Sequence, residues 1–352
     1  MKQISNSAPT IFDVARLAGV SRGTVDRVLY DRGRVSQKTK DKVRKVISEL
    51  GYSPNQNASS LANRKEYRFA CLIPQFSKDD YWEEIYNGFI EGTESVRLAS
   101  VCLDMYLYDQ TDVDSFNSAC SQILAGEPAG VIMNAVFKDA VTDFAHMLGA
   151  RGIPYAFIDN KVDDLDYLLY YGVNPYKSGE LGAFLLTNRQ DVREIALIRL
   201  IRDSRHKADP NAARRHGFID YIEENLPDCV IHTVFIQPDD PAGIMATLEC
   251  FFSQHPDVRH IAMTNSRIWL LDDFLEKHPD SRRTVVGFDD LKKNLESLRR
   301  RNVEFLVTRH ISRQSYQAIS EFAECVIKGI RPARRNNYVH MDILHRRNLD
   351  DY

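Results

Sequence analysis

"GVSRGTVDRVLYDRG", residues 19–33, decides how the chain is to be read. It spells G-x-S-x-G through Gly19, Ser21 and Gly23, the pattern of a hydrolase nucleophile elbow, yet it also has the spacing of a short helix with a cationic outer face. The residues around it separate the two readings. An elbow needs a buried strand ahead of the serine, whereas Ile11, Val14, Ala15 and Leu17 mark the apolar face of an amphipathic helix. Thr10 is placed to cap that helix, Asp13 lies near its positive end, and Gly19 breaks it. Ser21 then caps a second helix in which Val25, Val28 and Leu29 recur at i, i+3 and i+4 and turn inward. A third begins at Ser36, runs through Val43, Val46, Ile47 and Leu50, and stops at Gly51, where a helix C-terminal glycine belongs. Two short helices joined by a tight turn and buttressed by a third form a helix-turn-helix unit. Ser21 is therefore read as a cap and not as a nucleophile.

The outward face of the second helix carries Arg22, Gly23, Asp26, Arg27 and Tyr30. Asp26 is the odd member of a surface meant for an acidic polymer. It lies four residues from Arg22, a neighbouring position on a helix. Three roles stay open: it orients the Arg22 fork toward guanine edges, it accepts from a cytosine amino group, or it weakens non-specific phosphate binding. Charge along the chain agrees with a nucleic-acid partner for this end. Residues 1–68 hold 14 Lys and Arg against 6 Asp and Glu, a balance of +8, and the remainder holds 32 against 43, a balance of −11. A small basic head on a large acidic body is the asymmetry expected when only one part meets phosphates.

The stretch "IFDVARLAGVSRGTVDRVLYDRGRVSQKTKDKVRKVISELGYSPNQNASSLA" resembles the DNA-binding head of the LacI/GalR family of bacterial transcription regulators. It follows the family's pattern of D-V-A, A-G-V-S, T-V-S-R-V-L, V-S, T-R-x-K-V, L-G-Y-x-P-N and A-x-x-L in order. The departures are Asp26 in place of the usual serine, Lys40 for arginine, and Ser59–Ser60 inside the last segment. The resemblance implies that Arg22 and Gly23 read bases, and that Thr10, Ser21, Thr24, Asp26, Arg27 and Tyr30 contact DNA or position the helix. It also makes "PNQNASSLANRK" a hinge that folds on the operator, with Asn55 and Ala58 in it and Leu61 as a minor-groove wedge. Asn, Ser and Gln are moderate helix formers, which suits a segment that orders only with a partner.

From residue 68 onward, eleven short apolar runs alternate with amphipathic ones. They are "RFACLIP", "SVCLDMYLYD", "GVIMNAV", "PYAFIDN", "YLLYYGV", "EIALIRLI", "VIHTVFIQ", "RHIAMTN", "RTVVGFDD", "VEFLVTRH" and "YVHMDIL". Alternation of this kind argues for parallel sheets covered by helices on both faces, and eleven strands exceed one comfortable open sheet. The fold class expected is an all-α helix-turn-helix domain followed by two doubly wound parallel-sheet α/β subdomains of periplasmic-binding-protein type. The expected divisions are 1–53 for the head, 54–67 for the hinge, 68–172 with 311–335 for the first subdomain, and 173–310 with 336–352 for the second. Ligands of such sheets bind beyond the carboxyl ends of the strands, where Phe76, Asn134, Asp159, Asn265 and Asp289 stand.

The body is similar to the effector domain of the same family, and that resemblance implies ligand roles residue by residue. "VVGFDD" gives Asp289, "RRHGF" gives Arg214, "MTNS" gives Asn265 and "IPYAFIDN" gives Asp159, while Tyr81 and Trp82 lie near a family aromatic pair. After "FLVTRH" the family's ligand-facing glutamine is replaced by Ile311. The loop "RDSRHKADPNAARR", with Arg202, Arg205, His206 and Lys207 beside Arg214, suits a carboxylate or phosphate and admits an acidic or phosphorylated sugar as effector.

Neither a P-loop, G-x-G-x-x-G nor H-E-x-x-H is present. No catalytic residues, cofactor or metal are expected, and His255 and His260 are read as surface residues. The six cysteines show no C-x-x-C spacing, and no run of about 18 apolar residues suggests a membrane span. "MKQISNSAPTIFDVARLAG" has no long apolar core, so no secretory signal is read and a cytoplasmic location is expected. The expected function is a sequence-specific transcription regulator, a repressor, that binds double-stranded operator DNA and a small sugar-type effector as a homodimer. A tetramer is left open. The rival classes are a transport solute-binding protein, which has no use for the basic head, and an enzyme fused to a DNA-binding head, which needs a converging nucleophile and base.

Overall fold

A computed structural model describes residues 11–29, 35–50, 66–96, 100–188, 192–201, 209, 211–280 and 282–352. The chain divides into two compact units, Met1–Arg64 and Lys65–Tyr352.

In the first unit, helices α1 (Ile11–Ala18), α2 (Arg22–Leu29) and α3 (Gln37–Leu50) surround a small core of Val14, Ala15, Ala18, Val25, Val28 and Val43. Gly19 closes α1 in the left-handed region at φ +61, which a side chain would strain. The Val20 amide then donates to the Ala15 carbonyl. The Ser21 hydroxyl accepts from the Thr24 amide at 3.2 Å, so it is the cap of α2. Ser36 does the same for α3 through the Thr39 amide at 3.3 Å. Leu17 is exposed and Ala18 fills the core in its place. The inward face follows Val14, Ala15 and Ala18, the i, i+1 and i+4 positions of one stripe, and Leu17 stands beside that stripe.

The second unit holds two six-stranded sheets, with strand orders β11-β5-β4-β3-β1-β2 and β12-β10-β9-β8-β6-β7. The first is built from β1 (Glu66–Pro74), β2 (Ser100–Tyr108), β3 (Gly130–Met133), β4 (Tyr155–Ile158), β5 (Leu169–Gly172) and β11 (Asn336–Tyr338), all parallel. The second is built from β6 (Glu194–Leu200), β7 (Val230–Ile236), β8 (His260–Met263), β9 (Thr284–Phe288), β10 (Phe305–Thr308) and β12 (Asp342–Leu344). Only β12 in it is antiparallel.

Helices cover both faces of each sheet, which is why the strands read as continuous apolar runs. On the first sheet, α5 (Val113–Ala125) and α6 (Lys138–Ala150) pack over Leu72, Val131 and Phe157. Helices α4 (Tyr81–Ser95) and α12 (Ile311–Lys328) pack over Phe69, Ile132 and Ile158. On the second sheet, α7 (Pro175–Thr187) and α8 (Ala212–Asn225) cover Leu197, Ala262 and Val286. Helices α9 (Pro241–Gln254), α10 (Asp272–Lys277) and α11 (Lys292–Arg299) cover Ile198, Val234 and Met263.

The chain passes between subdomains three times: after β5, after β10 and between β11 and β12. This corrects the expected boundary at 336. Asn336–Tyr338 pairs with Tyr170–Gly172 of the first sheet, and the crossing falls at residues 339–341. The single apolar run "YVHMDIL", residues 338–344, is thus split between the sheets: Tyr338 ends the edge strand of the first and Asp342–Leu344 forms the edge strand of the second.

Candidate functional site

Two aspartates face one arginine across the boundary between the sheets. Asp159 follows β4 of the first sheet and Asp289 follows β9 of the second, and both adopt φ 67. Aspartate tolerates this left-handed conformation better than most residues, but it is still a strain of the kind that gathers at functional sites. Each turn is pinned through its own carbonyl. The Tyr170 hydroxyl donates to the Asp159 carbonyl at 2.9 Å, and Asn294 Nδ2 donates to the Asp289 carbonyl at 3.1 Å.

Arg309, just past β10, bridges the two carboxylates. Its Nη1 donates to Asp159 Oδ1 at 2.7 Å and its Nε donates to Asp289 Oδ1 at 3.0 Å. The guanidinium lies 4.7 Å from the centre of the Tyr81 ring, whose hydroxyl donates to Asp159 Oδ1 at 2.8 Å. Asp289 Oδ2 accepts from the Ser266 hydroxyl at 2.6 Å and lies 3.5 Å from Arg214 Nη1. Arg214 is held in turn by Ser178 Oγ at 3.0 Å and the Thr264 carbonyl at 3.1 Å, with its guanidinium 4.6 Å from the Phe288 ring centre. On the other flank Asn134 donates to Asp159 Oδ2 at 3.4 Å and accepts from the Tyr108 hydroxyl at 3.1 Å.

The electrostatics balance, with two carboxylates against two guanidiniums. Burial alone pushes the Asp289 carboxyl upward, but Arg309 and Arg214, with the Ser266 hydroxyl, outweigh it and hold the group below its ordinary value. Burial likewise works against the charge of Arg309, and Tyr81, Asp289 and Asp159 raise it well above the usual arginine range. Burial pushes the Tyr81 phenol well up, which keeps it a neutral donor. Arg214 is lowered, chiefly by burial. The result is a preorganised set of donors and acceptors contributed by both sheets.

Val173, Phe288 and Met341 close around Arg309, so that in this arrangement no space wide enough for a water molecule is left beside it. A hollow of about 250 Å³ is lined by Trp269, Phe274 and Lys293 and belongs to the second subdomain alone. The cleft is the better candidate, because polar groups with displaced pKa values converge on it from two sheets.

The structure brings together Tyr81, Asn134, Asp159, Arg214 and Asp289. It does not bring the other three expected residues onto the same ion pairs. Trp82 is buried in the first subdomain's core, edge-on to Tyr81, and Phe76 packs against Tyr86. Asn265 accepts from the Arg267 amide at 2.9 Å, a turn-forming bond, and its neighbour Ser266 contacts Asp289 instead. Ile311 is buried in the same core as Trp82. Arg309 and Ser266 were missed, although both follow apolar strands closely enough for the strand-end rule to find them.

On the first unit, Arg22, Gly23 and Arg27 are exposed on α2, Thr24 is half-buried, and the Arg22 guanidinium lies 5.4 Å from the Phe12 ring centre. Thr10, Tyr30, Asn55, Ala58 and Leu61, the side chain of Asp26, and the basic loop at 202–208 lie outside the described residues. His260 corrects the surface reading: it is buried at the start of β8, and burial lowers its pKa. No described helix is long and apolar enough to cross a membrane.

Comparison with known proteins bears on both units. The family model for the periplasmic binding protein domain matches residues 69–327, and that for bacterial regulatory proteins of the lacI family matches residues 10–55. The chain is 43% identical over 74 residues to the HTH-type transcriptional regulator DegA of Bacillus subtilis, which covers 21% of this chain and 22% of that one. A crystal structure from Bacteroides fragilis, assigned as a LacI transcriptional regulator, superposes with a TM-score of 0.76 at 28% identity, over 82% of this chain and 100% of that one. GanP, a glucose-galactose binding protein from Geobacillus stearothermophilus, shares the fold with a TM-score of 0.68 at 18% identity, over 81% and 99% of the two chains.

Proposed function

The chain belongs to the LacI family, a lacI-type DNA-binding head joined to a periplasmic-binding-protein domain, and from that premise we propose a sequence-specific repressor controlled by a small effector. The effector is a sugar or sugar derivative held in the cleft between the two α/β subdomains. Arg22 and Gly23 read base edges at the start of α2. Ser21, Thr24 and Arg27 contact DNA or position the helix, together with Thr10 and Tyr30, while Asp26 orients the Arg22 fork, accepts from a cytosine amino group or weakens non-specific phosphate binding. Asn55, Ala58 and Leu61 act at the hinge. The protein works as a homodimer in the cytoplasm, so that two copies of α2 meet successive major grooves. It performs no catalysis.

The observation that carries this reading is the Asp159–Arg309–Asp289 bridge on the same chain as an exposed Arg22–Gly23 helix start. Carboxylates and guanidiniums held in fixed geometry beside an aromatic ring suit the paired hydroxyls of a sugar. Arg214 and Arg309 also suit a carboxylate or phosphate substituent. Tyr81, Asn134, Asp159, Arg214, Arg309 and Asp289 are the proposed effector contacts, with Phe76, Trp82 and Asn265 in supporting positions.

Two measurements test it. A thermal-shift screen of neutral sugars, their uronates and their phosphates reports the effector, since ligand binding raises the unfolding midpoint. Operator selection from random duplexes, followed by competition with scrambled DNA, reports sequence reading. An effector shift that survives in D289N, or equal affinity for selected and scrambled duplex, overturns the proposal.

A further inference from the structure

Three side chains that the cleft does not use meet at the amino-terminal ends of β6 and β7, opposite the strand ends that carry Asp289. Glu194 opens β6 and pairs with Val230, and two residues on Ala196 pairs with His232. Partners in a parallel register point to the same side of the sheet, and alternate residues of a strand share a face. Glu194 and His232 therefore lie on the face that carries Ala196, Ile198 and Val234, which α9 covers. His255 stands at the C-cap of that helix, its amide bonded to the Phe251 carbonyl at 2.9 Å.

The donor atoms converge. His232 Nε2 is 2.7 Å and His255 Nδ1 is 3.8 Å from Glu194 Oε2, and the three lie within 4.8 Å of one another. Phe251 orients both rings: His255 stacks on it at 4.7 Å and 27°, and His232 meets it edge-on at 5.6 Å and 63°. A tetrahedral zinc with bonds near 2.0–2.2 Å separates its ligand atoms by about 3.3 Å, a spacing that the 2.7 and 3.8 Å distances straddle. The three side chains are 21–36% exposed, which leaves a coordination position accessible to water.

We propose that Glu194, His232 and His255 form a divalent transition-metal site whose metal is Zn²⁺. Two imidazole nitrogens with one carboxylate oxygen match zinc, whereas Mg²⁺ and Ca²⁺ take oxygen sets. The metal ties the start of β6, the edge strand β7 and the end of α9 to one another.

The full-length protein, stripped with chelator, is titrated with Zn²⁺ against a chromophoric competitor, with Mg²⁺ as control. Wild type is expected to take up Zn²⁺ that the H232A/H255A variant does not, with H255A alone weakening the site by at least about tenfold. Zn²⁺, and not Mg²⁺, raises the wild-type unfolding midpoint, and that rise is lost in E194Q. Equal stoichiometry and affinity in wild type and H232A/H255A, or no uptake by wild type, overturns the proposal. If loss of His232 prevents folding, the partly exposed H255A decides by the same comparison. Operator and effector affinities are separate readouts, so failure here leaves the repressor reading standing.

Discussion

Arg309 ties together two buried carboxylates that belong to different subdomains. Removing one member of such a set leaves the others desolvated without compensation, a loss of about 3–5 kcal/mol. R309M is therefore expected to lower the urea midpoint markedly. Because Asp159 is then left without its cation while Asp289 keeps Arg214 at 3.5 Å, the R309M/D159N double variant should lose less than the two single losses added, which a double-mutant cycle measures. Additive losses would mean that the bridge carries no energy. The acid limb gives an independent check. The folded carboxyl of Asp289 sits below its ordinary value because Arg309 and Arg214 outweigh its burial. Between the folded and the unfolded value, near about pH 4 and below, the unfolded chain binds more protons, so this contribution is present in full above that range. It is lost as pH falls through the folded value. Urea unfolding of wild type between about pH 5 and 2.5 should steepen below about pH 4, and D289N should lack that increment.

Helix pairs set the positions of these side chains, and glycines set the helix pairs. A methyl group added at Gly179 of α7 would collide with the Arg214 carbonyl, and one at Gly217 of α8 would collide with the Tyr176 carbonyl. In the first subdomain Gly88 and Gly92 of α4 meet α12 at Ser312 and Ile319 in the same manner. G179A must push α8 away, moving Arg214 from Asp289 without altering any charge. It is expected to weaken effector binding more than it lowers the unfolding midpoint, with L248A, remote in the α9 core, showing the reverse; Leu to Ala in a core costs about 2–5 kcal/mol.

Most elements of both units were legible because helices bury a stripe and two-sided strands bury everything. The exceptions have local causes. Leu17 is apolar but stands off the stripe that Ala18 completes. "YVHMDIL" reads as one run, but its Tyr338 ends one three-residue edge strand and its Asp342–Leu344 is another, each too short for any pattern to show which sheet takes it. Arg309 stayed hidden because an arginine beyond an apolar strand reads as solvated until two carboxylates from other strands are seen around it. Asn265 was chosen by motif, and the contact passed to the next residue because its own side chain closes a turn.

The whole chain couples these parts through three crossings between subdomains, and Arg309 lies on the second of them, immediately before His310 at φ 48. Under the proposed function, an effector that binds the Asp159 and Asp289 carboxylates acts on both sheets at once, and its preference for one relative arrangement of the subdomains is expected to change operator affinity. Such coupling is reciprocal: if the effector changes operator affinity by a factor, operator DNA changes effector affinity by the same factor. The factor is expected to be about 5–150, corresponding to about 1–3 kcal/mol. Operator titrations with and without saturating effector, and effector titrations with and without operator, measure it in both directions. In R309M each sheet keeps its own aspartate but the bridge between them is gone. Both factors should then fall together toward one while Arg22-dependent DNA binding persists. A fall in only one direction violates linkage and would point to a second effector site, and an undiminished factor in both directions would place the coupling outside Arg309.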